Sequence, residues 1–137
     1  MITETPVITG YIQWLHTLNA HGVHRVASFM RADTRYRTPE GESVGARDIA
    51  ALFVKLFEDG QKVVIRVNDV AGGQDGHTVY LRWDRMITGV NAQKQTLSGV
   101  SEIMLGLDGR IASVIEHWDR VPVSLKKRGY FGKLFGR

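Results

Sequence analysis

Between Ile8 and Leu18 the apolar residues Ile8, Tyr11, Ile12, Leu15 and Leu18 return every three or four positions, the period of one face of an α-helix. Thr5-Pro6 supplies an N-cap and first-turn pair, and Asn19 with His21-Gly22 breaks the pattern. A shorter helical piece is expected from Val23 to Phe29. The period then drops to two. Arg31, Asp33, Arg35 and Arg37 alternate with Ala32, Thr34, Tyr36 and Thr38, so a strand is expected with its charged side in water and Tyr36 and Thr38 turned inward. Pro39 to Glu42 reads as a loop. Ile49, Leu52, Phe53, Leu56 and Phe57 mark a third helical face, beginning after Gly45 and stopping near Gly60.

Beyond Gly60 the pattern is that of sheet. Strands are expected near 62–70, 78–87, 95–107 and 110–118, joined by a Gly-rich turn at 72–76, a loop around Asn91 and a tight Asp108-Gly109 turn. Three helical segments followed by a curved antiparallel meander give an α+β architecture whose helices cover one face of the sheet.

Length and composition refine this only in part. A chain of 137 residues with 43% hydrophobic content is expected to bury one core in one domain. It has no cysteine, which removes disulfides, thiolate metal sites and cysteine nucleophiles and fits a reducing compartment. The first thirty residues do not read as a signal peptide, and no stretch approaches the ~20 apolar residues of a membrane span, so a cytoplasmic location is expected. Charge is unevenly spread. Arg120, Lys126, Lys127, Arg128, Lys133 and Arg137 follow Asp119 with no acid among them and outweigh the whole net charge of +4, so residues 1–119 are net acidic. The chain therefore divides into a domain at 1–119 and a basic C-terminal tail at 120–137.

In the tail, the basic residues interleave with Leu125, Tyr130, Phe131, Leu134 and Phe135, a mixture that an anionic membrane surface or a nucleic acid could engage. Gly129 and Gly132 weaken a continuous amphipathic helix there. A tail that is solvated, or folded on its own domain or a sister subunit, is the favoured reading, and neither nucleic-acid nor membrane docking is expected.

Candidate chemistry sits on two strands. Within TVYLRWDRMI, Tyr80, Arg82, Asp84 and Met86 share one face, and Val79, Leu81, Trp83, Arg85 and Ile87 share the other. Periodicity alone buries the second, more apolar face. A strongly curved sheet covered by helices on one side and by a partner on the other can bury both. On the last strand Ala112, Val114, Glu116 and Trp118 share a face opposite Ile111, Ser113, Ile115, His117 and Asp119. If Arg82, Asp84 and Glu116 meet in one pocket, an arginine bridges two carboxylates. One is then held ionised as a base while the other can receive or donate a proton, an arrangement for acid–base chemistry without metal. Against this, an Arg-x-Asp on a strand is more often a cross-strand ion pair on a solvated face, and the same discount applies to Glu116. His117 and Asp119 read as rim or capping residues. His21-x-x-His24 has metal-like spacing but no third ligand at a usual offset, so no metal site is expected. There is no GxGxxG, Walker loop, HExxH or G-x-S-x-G, which leaves phosphate cradles, zinc proteases and serine hydrolases without support.

The order of these elements, with the segments LNAHGVHRVASFMRADTRYRTP, VGARDIAALF, YLRWD and GVSEIMLGLDGRIASVIEHWD, resembles the nuclear transport factor 2-like superfamily over about residues 5–119. SnoaL-type polyketide cyclases, ketosteroid isomerases and limonene epoxide hydrolases share that fold, and the overall likeness is greatest to uncharacterised bacterial members with a similar EHWD-type ending and basic tail. The resemblance implies a cone-shaped, curved antiparallel sheet with three helices packed on its concave face. It also implies a homodimer and a pocket for a small hydrophobic molecule, with cofactor-free acid–base chemistry as the possible activity.

Carried over position by position, the base aspartate of ketosteroid isomerases falls at Thr38 and their oxyanion-hole donors near Trp14 and Ser101, so steroid isomerisation is not implied. The last-strand acid of SnoaL-type cyclases falls at Glu116, and their histidine is matched at best by His117 on the other face. Limonene epoxide hydrolases are the nearest polar match, with their Arg-x-Asp at Arg82-x-Asp84, their last-strand aspartate at Glu116 and their Tyr-x-Asn at Tyr36-x-Thr38, two of five positions being changed. The resulting expectation makes Glu116 the base, Asp84 the acid, Arg82 their bridge and Tyr36 the orienter of substrate or water. Trp14, Thr38, Tyr80, Ser101, Val114 and Trp118 would line the ligand, and no cofactor is expected. The alternative is a non-catalytic dimeric binding or assembly module whose tail contacts a partner, since folds of this type host many functions.

Overall fold

Where apolar residues recur at helical spacing, the chain winds into α1 (Pro6–His16), with Thr5 extended at the N-cap and Pro6 in the first turn. In the computed structural model, which describes residues 1–119, α1 buries Ile8, Tyr11, Trp14 and Leu15 along one side. The basic segment 120–137, and the docking readings that fall on it, lie outside the described residues. The second helical piece is a 3-10 helix, Ala20–Ser28, that begins earlier than the apolar spacing suggests. Asn19 starts it by accepting the backbone N–H groups of His21 and Gly22, each at 2.9 Å.

The period-two stretch forms β1 (Met30–Thr38), with Thr34 and Tyr36 buried and Arg35 and Arg37 exposed, as alternation requires. Gly41 and Glu42, read from sequence as loop, belong instead to β2 (Gly41–Val44), which pairs antiparallel with β1 from Thr38–Gly41 to Arg35–Val44. A four-residue edge strand with one side chain half-buried carries no apolar alternation to reveal it. Gly45 then turns the chain into α2 (Ala46–Val54) at φ +88°. A side chain there would bring a Cβ to 2.8 Å from the Ala32 carbonyl oxygen. The helix tightens into a 3-10 turn, Lys55–Gly60, and ends where Glu58 turns extended and Asp59 turns left-handed.

The rest is β3 (Lys62–Gly72), β4 (Thr78–Thr88), β5 (Lys94–Leu105) and β6 (Ile111–His117). Together the strands make one curved, unclosed sheet in the order β2-β1-β6-β5-β4-β3. All its pairings are antiparallel except β1 with β6, which run parallel. The helices cover the inner face. There Val63, Ile65, Leu81, Trp83, Ile103 and Val114 meet Ile8, Tyr11, Trp14, Ile49 and Phe53 in a single core. Aromatic rings knit that core, with Trp14 edge-on to Phe53 at 4.9 Å and Tyr36 edge-on to Phe53 at 5.7 Å. No helix among the described residues is long and apolar enough to cross a membrane.

The parallel β1–β6 pairing is irregular. Its register slips between Met30–Ile111 and Arg35–Ser113, and fully buried Thr34 sits in the slip. Thr34 Oγ1 accepts the Arg31 backbone N–H and donates to the Ile111 carbonyl, both at 2.6 Å, which satisfies two groups that the slip takes out of the ladder. Thr34→Val keeps the volume but removes both bonds, so urea unfolding is expected to show a loss of ~1–3 kcal/mol with an unchanged m-value.

Candidate functional site

The inner face of the sheet is built from alternate residues of adjacent strands. Tyr36 on β1 stands level with Val114 on β6, Glu116 on β6 with Ser101 on β5, and Gly99 on β5 with Trp83 on β4. This ladder assembles the polar groups of the interior. The Tyr36 hydroxyl donates to Glu116 Oε2, and Trp118 Nε1, just past the end of β6, donates to Glu116 Oε1 at 2.9 Å. The buried Tyr11 hydroxyl on α1 contacts the Tyr36 hydroxyl from the helical side. One strand further, Trp83 Nε1 donates to Ser101 Oγ at 2.9 Å. The Trp83 ring lies over Gly99 so closely that a Cβ there would come within 2.7 Å of ring carbon Cζ2.

Tyr11, Tyr36, Trp83, Ser101 and Glu116 line a small cavity of about 20 Å³, closed by Leu15, Phe53, Leu56 and Ile65 and entered by Arg85. That volume takes about one water-sized molecule. Glu116 also borders an open cleft of about 720 Å³ at the C-terminal ends of β1 and β6, where Arg37, Thr38 and Trp118 also stand. The carboxylate thus stands between interior and cleft.

The convergence expected of Arg82, Asp84 and Glu116 does not occur. Leu81 and Trp83 are buried on the inner face of β4, so strict alternation sends Tyr80, Arg82, Asp84 and Met86 to the outer face, away from Glu116. Arg82 and Tyr80 are exposed there. Asp84 accepts from Ser98 Oγ at 2.6 Å and Asn68 Nδ2 at 2.8 Å, and those two bonds, Ser98 foremost, hold its carboxyl below the usual range. Tyr36, Ser101 and Trp118 do gather around Glu116 or its cavity, and Val114 is buried beside them. Trp14 is a core residue whose Nε1 donates to the Gly22 carbonyl at 2.9 Å. Thr38 lines the cleft and accepts from the Glu40 N–H at 3.0 Å. His117 points outward to Glu102 at 3.1 Å. His21 and His24 are exposed, and no group of three metal-ligating side chains occurs among the described residues.

Two ionisable residues of the cavity, Tyr11 and Arg85, carry no functional expectation in the sequence. Tyr11 reads as one more member of a helix face. Arg85 had a visible signal, because it is the one charged residue on the otherwise apolar face of β4.

A SnoaL-like domain model matches residues 11–114, and the chain belongs to that family. No curated protein matches it. Among solved structures, a nuclear transport factor 2-like protein of unknown function from Exiguobacterium sp. 255-15 is 17% identical with a TM-score of 0.68, covering 84% of this chain and 99% of its own. The epoxide hydrolase/cyclase-like enzyme SalBIII, of pyran ring formation in the polyether salinomycin, is 16% identical with a TM-score of 0.69, covering 82% and 88%. The Δ5-3-ketosteroid isomerase of Mycobacterium sp. is 13% identical with a TM-score of 0.64, covering 82% and 90%. At these identities the likeness shows the fold that the sequence implied.

The electrostatics of the interior favour neutral phenols. Burial first, and then the Glu116 charge, push the hydroxyl pKa values of Tyr11 and Tyr36 well above the ordinary 10.0, so both remain hydrogen-bond donors at neutral pH. Their folded values exceed the unfolded one. The stability they contribute is therefore complete below pH 10 and is lost as pH rises beyond it toward the folded values. Spectrophotometric titration is expected to show the same tyrosinate amplitude near pH 10 in wild type and Tyr36→Phe, with wild-type stability declining above that pH. A smaller step in the variant would mean that Tyr36 ionises normally.

Proposed function

We propose that the interior of the cone binds a small, largely apolar molecule and that Glu116 exchanges a proton with it. The observation that carries this reading is the setting of Glu116. It is the one carboxylate lining the cavity, fixed by Tyr36 on one oxygen and Trp118 on the other, at the junction of a largely apolar cavity and an open cleft. Each oxygen keeps a lone pair beyond the one used, so a fixed carboxylate can still take a proton from a ligand or a water. Tyr36, as a neutral phenol held by Tyr11, positions the base. An isomerase and an epoxide hydrolase/cyclase-like enzyme share the fold, which supports a reaction on a small molecule. Arg82 and Asp84 take no part in this step. Binding must widen the cavity, and half-buried Leu56, on the 3-10 turn beside the left-handed Asp59, is the side chain placed to give way.

The test is exchange of α-protons with D2O, followed by NMR, for a neutral benzylic ketone (2-tetralone) and an aryl keto acid (3-benzoylpropionate). Wild type is expected to accelerate exchange of at least one, and Glu116→Gln to slow it by ~10²-fold or more while melting within a few degrees of wild type. A variant that fails to fold would make Glu116 structural and overturn the reading.

The outer face of the sheet supports a second reading, pairing of two copies. Val64 and Met86 are cross-strand neighbours there, 50% and 39% exposed, and Met104 and Tyr80 lie on the same face at 43% and 39%. Sedimentation equilibrium is expected to give a dimer that Met86→Lys weakens, and a monomer in wild type would remove this reading.

A further inference from the structure

Resting on the reading of the cone interior as a ligand site, we propose that its ligand is an anion: a small aromatic or aliphatic acid whose carboxylate is bound by Arg85. Arg85 comes from β4, one alternation beyond Trp83, and its guanidinium carbon stands 6.0 Å from the centre of the Trp83 ring. It lines the cavity together with Glu116. Its Nε is buried, and it is the one buried side-chain nitrogen or oxygen among the described residues with no hydrogen-bond partner.

Such an atom is costly. A guanidinium donor taken out of water and left unpaired loses its hydration with nothing in return, and interiors tolerate this where a ligand completes the site. The cavity does hold a carboxylate, but the bonds that fix Glu116 come from Tyr36 and Trp118, and Arg85 Nε donates to neither of its oxygens. No carboxylate of a described residue forms an ion pair with Arg85. The Arg85 charge therefore lines the cavity without an ion-pair partner among the described residues.

The chemistry of the group that fits follows from its neighbours. A guanidinium fork matches a carboxylate in a bidentate arrangement, and the nearby indole face favours a flat, oriented fork over a freely rotating one. Leu15, Phe53, Leu56 and Ile65 offer only apolar contact, so the rest of the ligand is hydrocarbon or aromatic. Ser101, which accepts from Trp83, keeps its own hydroxyl proton to donate to a second polar atom of the ligand. Arg85 thus sets the end of the ligand that is held, and Glu116 faces the part that reacts.

Binding of three acids of increasing size, benzoate, 2-naphthoate and 2-anthracenecarboxylate, each paired with the corresponding arylmethanol, tests this by titration calorimetry at pH 7.5 and 150 mM salt. Wild type is expected to bind at least one acid about tenfold or more tightly than its alcohol, Arg85→Met to abolish that preference, and Arg85→Lys to retain part of it. The basic segment after Asp119 is the same in all variants, so attraction of anions to it cancels in the comparison. Acid and alcohol bound equally, or an acid preference that survives in Arg85→Met, would overturn the assignment of an anion to Arg85 and leave the role of Glu116 standing. Binding of none of the six compounds would overturn both. Thermal melts show whether Arg85→Met is folded. Should it not be, Arg85→Lys carries the test, and a preference as large as wild type's in that variant overturns the requirement for the fork.

Discussion

The parallel contact between β1 and β6 is the constraint on which the rest of this structure depends. Adjacent parallel strands cannot be joined by a tight turn, so the chain must travel through β2, α2 and the whole β3–β5 meander before β6 returns beside β1. The price is a register slip, and Thr34 offsets it by bonding both strands across the irregularity. What that closure brings is a phenol and a carboxylate eighty positions apart in hydrogen-bond contact. The curved sheet packs its inner face against α1 and α2, and so has an inside.

Inside, polar groups are admitted only with partners. Tyr11 and Tyr36 share their hydroxyls, Glu116 is held by two donors, and Trp83 gives its N–H to Ser101. Each bond fixes a side chain that also lines the cavity, so packing and the placement of reactive groups are the same interactions. Gly99 shows how tight this is, since the Trp83 ring occupies the space a side chain would need. Arg85 is the exception to the pairing rule, and an exception in a largely apolar cavity is where recognition of something external is expected.

The Arg82-x-Asp84 pair illustrates how face assignment overrides motif likeness. A strand displays its residues alternately, so a motif can match in spacing and still be turned outward if its neighbours are more apolar. Leu81 and Trp83 gain far more from burial than Arg82 and Asp84 could, and the strand settles accordingly. Asp84 then serves the outer surface, tying β4 to Ser98 of β5 and Asn68 of β3.

Much of the fold was legible along the chain because its determinants are local. Helical recurrence announced α1 and α2, alternation announced β1 and the inner face of β4, and Gly45, Gly60 and Asp108-Gly109 marked the changes of direction. Short β2 escaped because an exposed edge strand needs no apolar face. For the site, the last strand's alternation already put Glu116 inward with Val114, and Tyr36 inward on β1. Which partners they meet was decided only in three dimensions, because a parallel pairing across eighty residues leaves no periodic trace in either strand. The sequence by itself therefore determined which side chains face the interior, through the free energy of burying apolar surface. The tertiary structure alone decided that Tyr36, Trp118 and Glu116 join and that Arg85 enters the cavity unpaired. Those outcomes depend on sheet register and curvature, which long-range hydrogen bonds set.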